Sequence, residues 1–104
     1  MSFRLPQNLS TQLSIETGAS VLDREILAEK AASLGRAGRA VERALHELRT
    51  FQGSAKDRPR IVKLAADAVY AYLVQRELCG FLDHSDPVEH YAIPGEILAC
   101  LGAR

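Results

Sequence analysis

The chain has 104 residues, 47% of them apolar, and thirteen basic side chains cancel thirteen acidic ones. That length reads as one domain, 1–104, and that apolar fraction excludes disorder throughout. A net charge of zero excludes a global pull toward nucleic acid or a membrane. No apolar run reaches transmembrane length, and no signal sequence is expected.

Residues 1–18 read as an N-terminal arm. Phe3, Leu5, Leu9, Leu13 and Ile15 are apolar, but Pro6 and the pair Gln7-Asn8 interrupt them. The expectation is an extended arm with one helical turn after Asn8.

A long helix is expected over 20–52. Leu27, Ala31, Leu34, Gly38, Val41, Leu45 and Leu48 recur at alternating steps of four and three, the spacing of a heptad seam. Ile26, Ala37, Ala44 and Phe51 widen the stripe, while Glu25, Glu29, Arg36, Arg39, Arg43 and Glu47 take the opposite side. Ser20 with Asp23 resembles a capping box, and Gln52-Gly53-Ser54 supplies a stop. Gly35 and Gly38 each cost about 1 kcal/mol in a helix interior. Either the helix breaks at Gly35, giving two helices, or Ala31, Gly35 and Gly38 supply small surfaces for close approach by a partner helix. The apolar stripe keeps its phase across both glycines, which favours the second reading.

After a turn at Gly53-Ser54-Ala55-Lys56, Asp57 is placed to cap a second helix over 58–79, with Pro59 in its first turn and Gly80 at its end. Between Ile61 and Val74 the polar residues are Lys63 and Asp67. A helix so apolar has to be covered on more than one side. The hairpin partner covers one flank, and a second copy of the chain is expected on another, through Val62, Ala66, Val69, Tyr70 and Leu73. The fold class is therefore all-α: a long antiparallel helical hairpin with short C-terminal helices over 86–102, assembled as a homodimeric four-helix bundle. Phe81 and Leu82 read as anchors. Ser85 or Asp86 caps a turn opened by Pro87, and Pro94 opens a last helix whose apolar face is Ile97, Leu98 and Leu101.

Charge is uneven along the chain. From Ser33 to Lys63 eight basic residues meet three acidic ones, and from Asp83 to the end four acidic residues meet one arginine. Arg36, Arg39 and Arg43 share a side of the long helix, a pattern that can meet phosphates. The interleaved acids and the lack of neighbouring aromatics favour a solvated face, so nucleic acid is not the expected partner.

The densest ionisable group is Asp83, His84, Asp86, Glu89 and His90. Asp83, His84, Glu89 and His90 are ordinary metal-ligand types. Yet His84 and His90 are six apart with Pro87 between them, not three or four apart as on one helix face. Caps and surface charges are the favoured reading. Cys79 and Cys100 are too few and too far apart for a disulfide framework and read as buried, reduced thiols. Cys79 ends an apolar helix, where a thiolate is disfavoured. Gly35-Arg36-Ala37-Gly38 follows no strand and is no phosphate loop. No catalytic residue, cofactor or metal is assigned.

Arg76-Glu77, Gly80, Asp83-His84 and Tyr91-Ala92-Ile93-Pro94, followed by Glu96, Leu98, Leu101 and Gly102, resemble a group of small uncharacterised bacterial proteins classed as a domain of unknown function. Pro6-Gln7, Leu9 and Leu34-Gly35-Arg36 are similar to the same group. The resemblance implies a stand-alone, all-helical bacterial protein and brings no activity or site residue with it. Three roles follow, in order: a non-enzymatic, cytoplasmic interaction or adaptor protein; a regulatory module for nucleic acid or a small ligand; and a metal-dependent site at Asp83, His84, Glu89 and His90.

Overall fold

Between Pro6 and Thr50 the sequence offers no proline and only three glycines, so little opposes a helix throughout. The computed structural model describes the backbone of residues 7–102 and the side chains of residues 18 and 20–101. Helix α1 runs Gln7–Arg49, α2 Arg58–Leu78, α3 Ser85–His90 and α4 Gly95–Gly102, with no strand among the described residues. The chain is all-α, and its long helix pairs with the second in an antiparallel hairpin. It divides into two compact units, Met1–Ala31 and Ala32–Arg104.

In the first unit α1 is already helical at Gln7, inside the stretch read as an extended arm. Past Pro6, which lacks a donor wherever it stands, no residue breaks helix before Gly18. Ser20 and Asp23 therefore lie within the helix and start nothing. The reading for residues 1–6 lies outside the described residues. Val21, Leu22, Ile26 and Leu27 are all exposed.

In the second unit α1 passes Gly35 and Gly38 unbroken and buries Val41, Leu45 and Leu48, the later half of the heptad seam. It ends where Thr50 bonds back to the His46 carbonyl, from its amide at 3.0 Å and its hydroxyl at 2.8 Å. Asp57 stands at the N-cap of α2 but makes no side-chain cap bond. Its carboxylate instead accepts the Ser54 hydroxyl at 3.0 Å, closing the turn. Pro59 lies in the first turn of α2, as its missing N–H permits.

Helix α2 ends in a Schellman motif. Gly80 takes φ 94°, which its missing Cβ allows. Its amide donates to the Glu77 carbonyl and the Phe81 amide to the Arg76 carbonyl, both at 2.9 Å. Phe81 and Leu82 emerge 50% and 76% exposed, so they are not anchors. The Arg76 guanidinium lies over the Phe81 ring at 5.1 Å, a cation–π contact that covers the ring from outside the core.

The core joins Val41, Leu45 and Leu48 of α1 to Ile61, Ala65, Ala66, Val69, Tyr72 and Leu73 of α2. Ile93 and Ile97 seal it, Ile97 with no exposure. Each large aliphatic side chain so buried contributes about 1.5–3 kcal/mol. Helix α4 lies on α2 and follows directly on Pro94, whose carbonyl accepts the amides of Ile97 and Leu98. Between α3 and α4, Ala92 takes φ 50°, an uncommon conformation for a residue with a Cβ. Arg49 holds that corner by donating from Nη2 to the carbonyls of Tyr91 at 2.8 Å and Ala92 at 3.0 Å.

Gly38 is where a small residue is required. A Cβ there would meet the Tyr91 hydroxyl at 2.6 Å. What approaches Gly38 is a tyrosine side chain from the α3–α4 corner, in place of the expected partner helix. Tyr91 packs edge-on against Tyr72, with centroids 5.4 Å apart and planes at 89°. Burial, with a hydrogen bond to Tyr72, pushes the Tyr91 phenol up to about 12.

Candidate functional site

The acidic C-terminal group is organised by backbone capping. Asp83 Oδ1 accepts the Ser85 amide at 2.9 Å, which anchors the start of α3 and holds the carboxyl below its ordinary range. The N-cap position is His84, which makes no side-chain cap bond, and it is Asp83, one residue earlier, that supplies a carboxylate to the first helical amide in place of a cap by Ser85 or Asp86. Arg76 Nη2 donates to the Asp83 carbonyl at 3.2 Å. His84 Nε2 lies 3.2 Å from Glu77 Oε1 on α2, while His90 packs edge-on with the Tyr91 ring at 4.7 Å. The two histidines are thus engaged with different neighbours. Among the described residues no three His, Cys, Asp or Glu side chains gather as a metal would require. The set Asp83, His84, Glu89 and His90 is not brought together.

The cysteines are half-buried free thiols. Gln75 Nε2 reaches Cys79 Sγ at 4.0 Å, and Cys100 lines a cleft. Several cations of the basic stretch are already occupied. Arg49 holds the α3–α4 corner, Arg58 makes a two-pronged bond to Glu96 at 2.7 and 3.0 Å, and Lys63 bonds Asp67 at 3.2 Å. The Arg58 guanidinium holds the Glu96 carboxyl below its ordinary value. Arg36, Arg39 and Arg43 are exposed on α1.

Five residues of α2 were read as an interface, and the structure separates them. Ala66, Val69 and Leu73 are 2%, 0% and 8% exposed, already covered by their own chain. They leave little area of their own for a partner, although Ala66 and Leu73 still line clefts beside α4. Val62 is half-buried and Tyr70 is 47% exposed. Such a helix does not show from its sequence which arc its own α1 and α4 will claim. The arc left outside is Arg60, Leu64, Asp67, Ala71, Val74 and Leu78, at steps of four, three, four, three and four, with Lys63, Tyr70 and Glu77 alongside. That second seam could have been found by asking which heptad phase the inner one leaves over. Leu64, Tyr70, Val74 and Leu78 are each between 37% and 66% exposed.

Two clefts flank this arc where α4 lies against α2. One of about 680 Å³ is floored by Pro59, Val62, Ala66 and Cys100 and rimmed by Arg58 and Glu96. The other, about 450 Å³, lies among Tyr70, Val74, Glu77, His84, Val88 and Leu101. No described helix is long and apolar enough to cross a membrane.

A family model described as a family of unknown function matches residues 1–104. The chain belongs to DUF6665. The DUF6665 match agrees with the resemblance carried by Arg76-Glu77, Gly80 and Tyr91-Ala92-Ile93-Pro94, and the helical character that resemblance implies is that of α1 to α4. No curated protein and no solved structure matches the chain. Membership in DUF6665 therefore transfers no site residue, and the reading of the surface rests on geometry.

Proposed function

We propose that this protein is a non-enzymatic interaction protein that works as a homodimer in a bacterial cytoplasm. The observation supporting this is the outer arc of α2. Leu64, Tyr70, Val74 and Leu78 leave apolar side chains, with Asp67 among them, on the solvent side of a helix whose inner arc is already packed. Apolar side chains gathered along one helix face, rimmed by polar ones, are the kind of surface that association covers. The short polar turns, the capped carboxylates and the separated histidines belong to scaffolding rather than to chemistry.

Sedimentation equilibrium between 1 and 100 µM tests the proposal. The expected result is a species of twice the 11.4 kDa protomer mass that dissociates on dilution. A single 11.4 kDa species across the range would overturn it. The double substitution Val74→Glu with Leu64→Glu is expected to give monomer with unchanged helicity, since both positions lie outside the core.

A further inference from the structure

Lys63, Tyr70 and Glu77 are spaced by seven residues and form one row along the edge of the outer arc. The row is positive at the N-terminal end of α2, aromatic in the middle and negative at the C-terminal end. It is antisymmetric about Tyr70. A second copy of the same row turned end for end complements it charge for charge.

We infer that the occupant of this face is α2 of a second copy, running antiparallel, with the twofold axis beside Tyr70 and Lys63 of each protomer paired with Glu77 of its partner. This rests on the homodimer reading above and gives it a register. In an antiparallel helix pair, flanking rows on the same side of the two seams face each other. Lys63 then meets Glu77 of the partner, twice by symmetry, and Tyr70 meets its own copy. The seam layers that follow set Leu64 against Val74 twice and Ala71 against Asp67 twice. In the outermost layers the Arg60 stem covers Leu78.

Parallel association would instead place the row 63, 70 and 77 against the opposite flank, where Ala68 and Gln75 offer no charge. It would also align the helix dipoles, which the antiparallel arrangement opposes favourably. Both charged groups keep exposed surface beyond the partner each already has. Lys63 is 75% exposed while bonded to Asp67, and Glu77 is 49% exposed beside His84. Asp67 enters the seam with its own Lys63 3.2 Å away, so it is not carried in without a counter-charge.

The experiment measures dimer dissociation at low salt for the wild type, Lys63→Glu, Glu77→Lys and an equimolar mixture of the two variants. Each variant alone faces two like-charge contacts and is expected to dissociate on the order of tenfold more readily. In the mixture every contact between protomers is again opposite in sign, so a heterodimer is expected to be tighter than either variant alone, short of wild-type strength because one Asp67 has lost its own Lys63. Circular dichroism checks that both exposed substitutions leave the fold intact. A second measurement uses Tyr70→Cys with Cys79→Ser and Cys100→Ser, expected to form a disulfide-linked dimer under mild oxidation. A dimeric wild type with both charge variants unaffected, or a mixture no tighter than its components, would overturn this register and leave the homodimer standing. A wild type that stays monomeric would overturn both.

Discussion

Replacing Gly38 with alanine sets two effects of opposite sign against each other. Alanine in a helix interior is favoured over glycine by about 1 kcal/mol. Against that, the new methyl would lie 2.6 Å from the Tyr91 hydroxyl oxygen, 3.5 Å from Tyr72 Cε1 and 3.7 Å from Tyr91 Cζ. The last two are ordinary contacts and the first is not. Tyr91 has little freedom to retreat. Its ring is held edge-on between Tyr72 and His90, and its carbonyl is gripped by Arg49. Overpacking of this kind costs about 1–3 kcal/mol, and losing the Tyr91–Tyr72 hydrogen bond about 1 kcal/mol more. The net expectation is a loss of about 1–3 kcal/mol, read as a lowered urea midpoint at unchanged slope. Removing the hydroxyl removes the clash, so in a Tyr91→Phe background the same Gly38→Ala substitution is expected to stabilise by about 0.5–1 kcal/mol. A double-mutant cycle should therefore show coupling above about 1 kcal/mol. Gly38→Ala alone matching or exceeding the wild type would refute the argument, as would an effect unchanged by Tyr91→Phe.

Ile97→Ala removes a fully buried side chain and should cost about 2–5 kcal/mol in chemical denaturation. Ala92→Gly relieves a left-handed residue at φ 50° and should raise stability by about 1 kcal/mol; thermal melting would check it. Glu96 and Asp83 have folded pKa values below their ordinary 4.5 and 3.8. Their contribution is full above those values and is lost as pH falls through the lower folded ones. Melting temperature should thus decline below about pH 4.5, and Glu96→Gln should flatten the upper part of that decline. Tyr91 has the opposite sign. Its folded value of about 12 lies above the ordinary 10, so its contribution is full below pH 10 and is lost between there and 12. Tyr91→Phe should weaken that alkaline loss in the same melts.

The hairpin was legible because its punctuation is chemical: Pro59 admits a helix start and Gly80 a left-handed end, whatever packs around them. The seam through Val41, Leu45 and Leu48 was legible because period fixes a face. What was not legible depended on neighbours distant in sequence. Gly38 needed a small residue on account of Tyr91, and Arg49 serves a corner formed by residues 91 and 92. Asp57 looked like a capping residue, yet its carboxylate is taken by Ser54. Among the interface residues, Tyr70 fell outside while Ala66, Val69 and Leu73 fell inside, because α4 occupies an arc that α2 alone cannot announce. In the acidic group, residue type suggested ligands, and only the pairing of His84 with Glu77 and of Asp83 with the Ser85 amide shows them separately employed.

The grip of Arg49 on two carbonyls has a dynamic corollary. It ties the final turn of α1 to backbone lying 42 and 43 residues further along. Unwinding that turn releases the strained corner in the same event. Amide protons near residues 46–50 and 91–93 should then exchange with solvent at a shared rate, as one breathing element assembled from two remote pieces of the polypeptide.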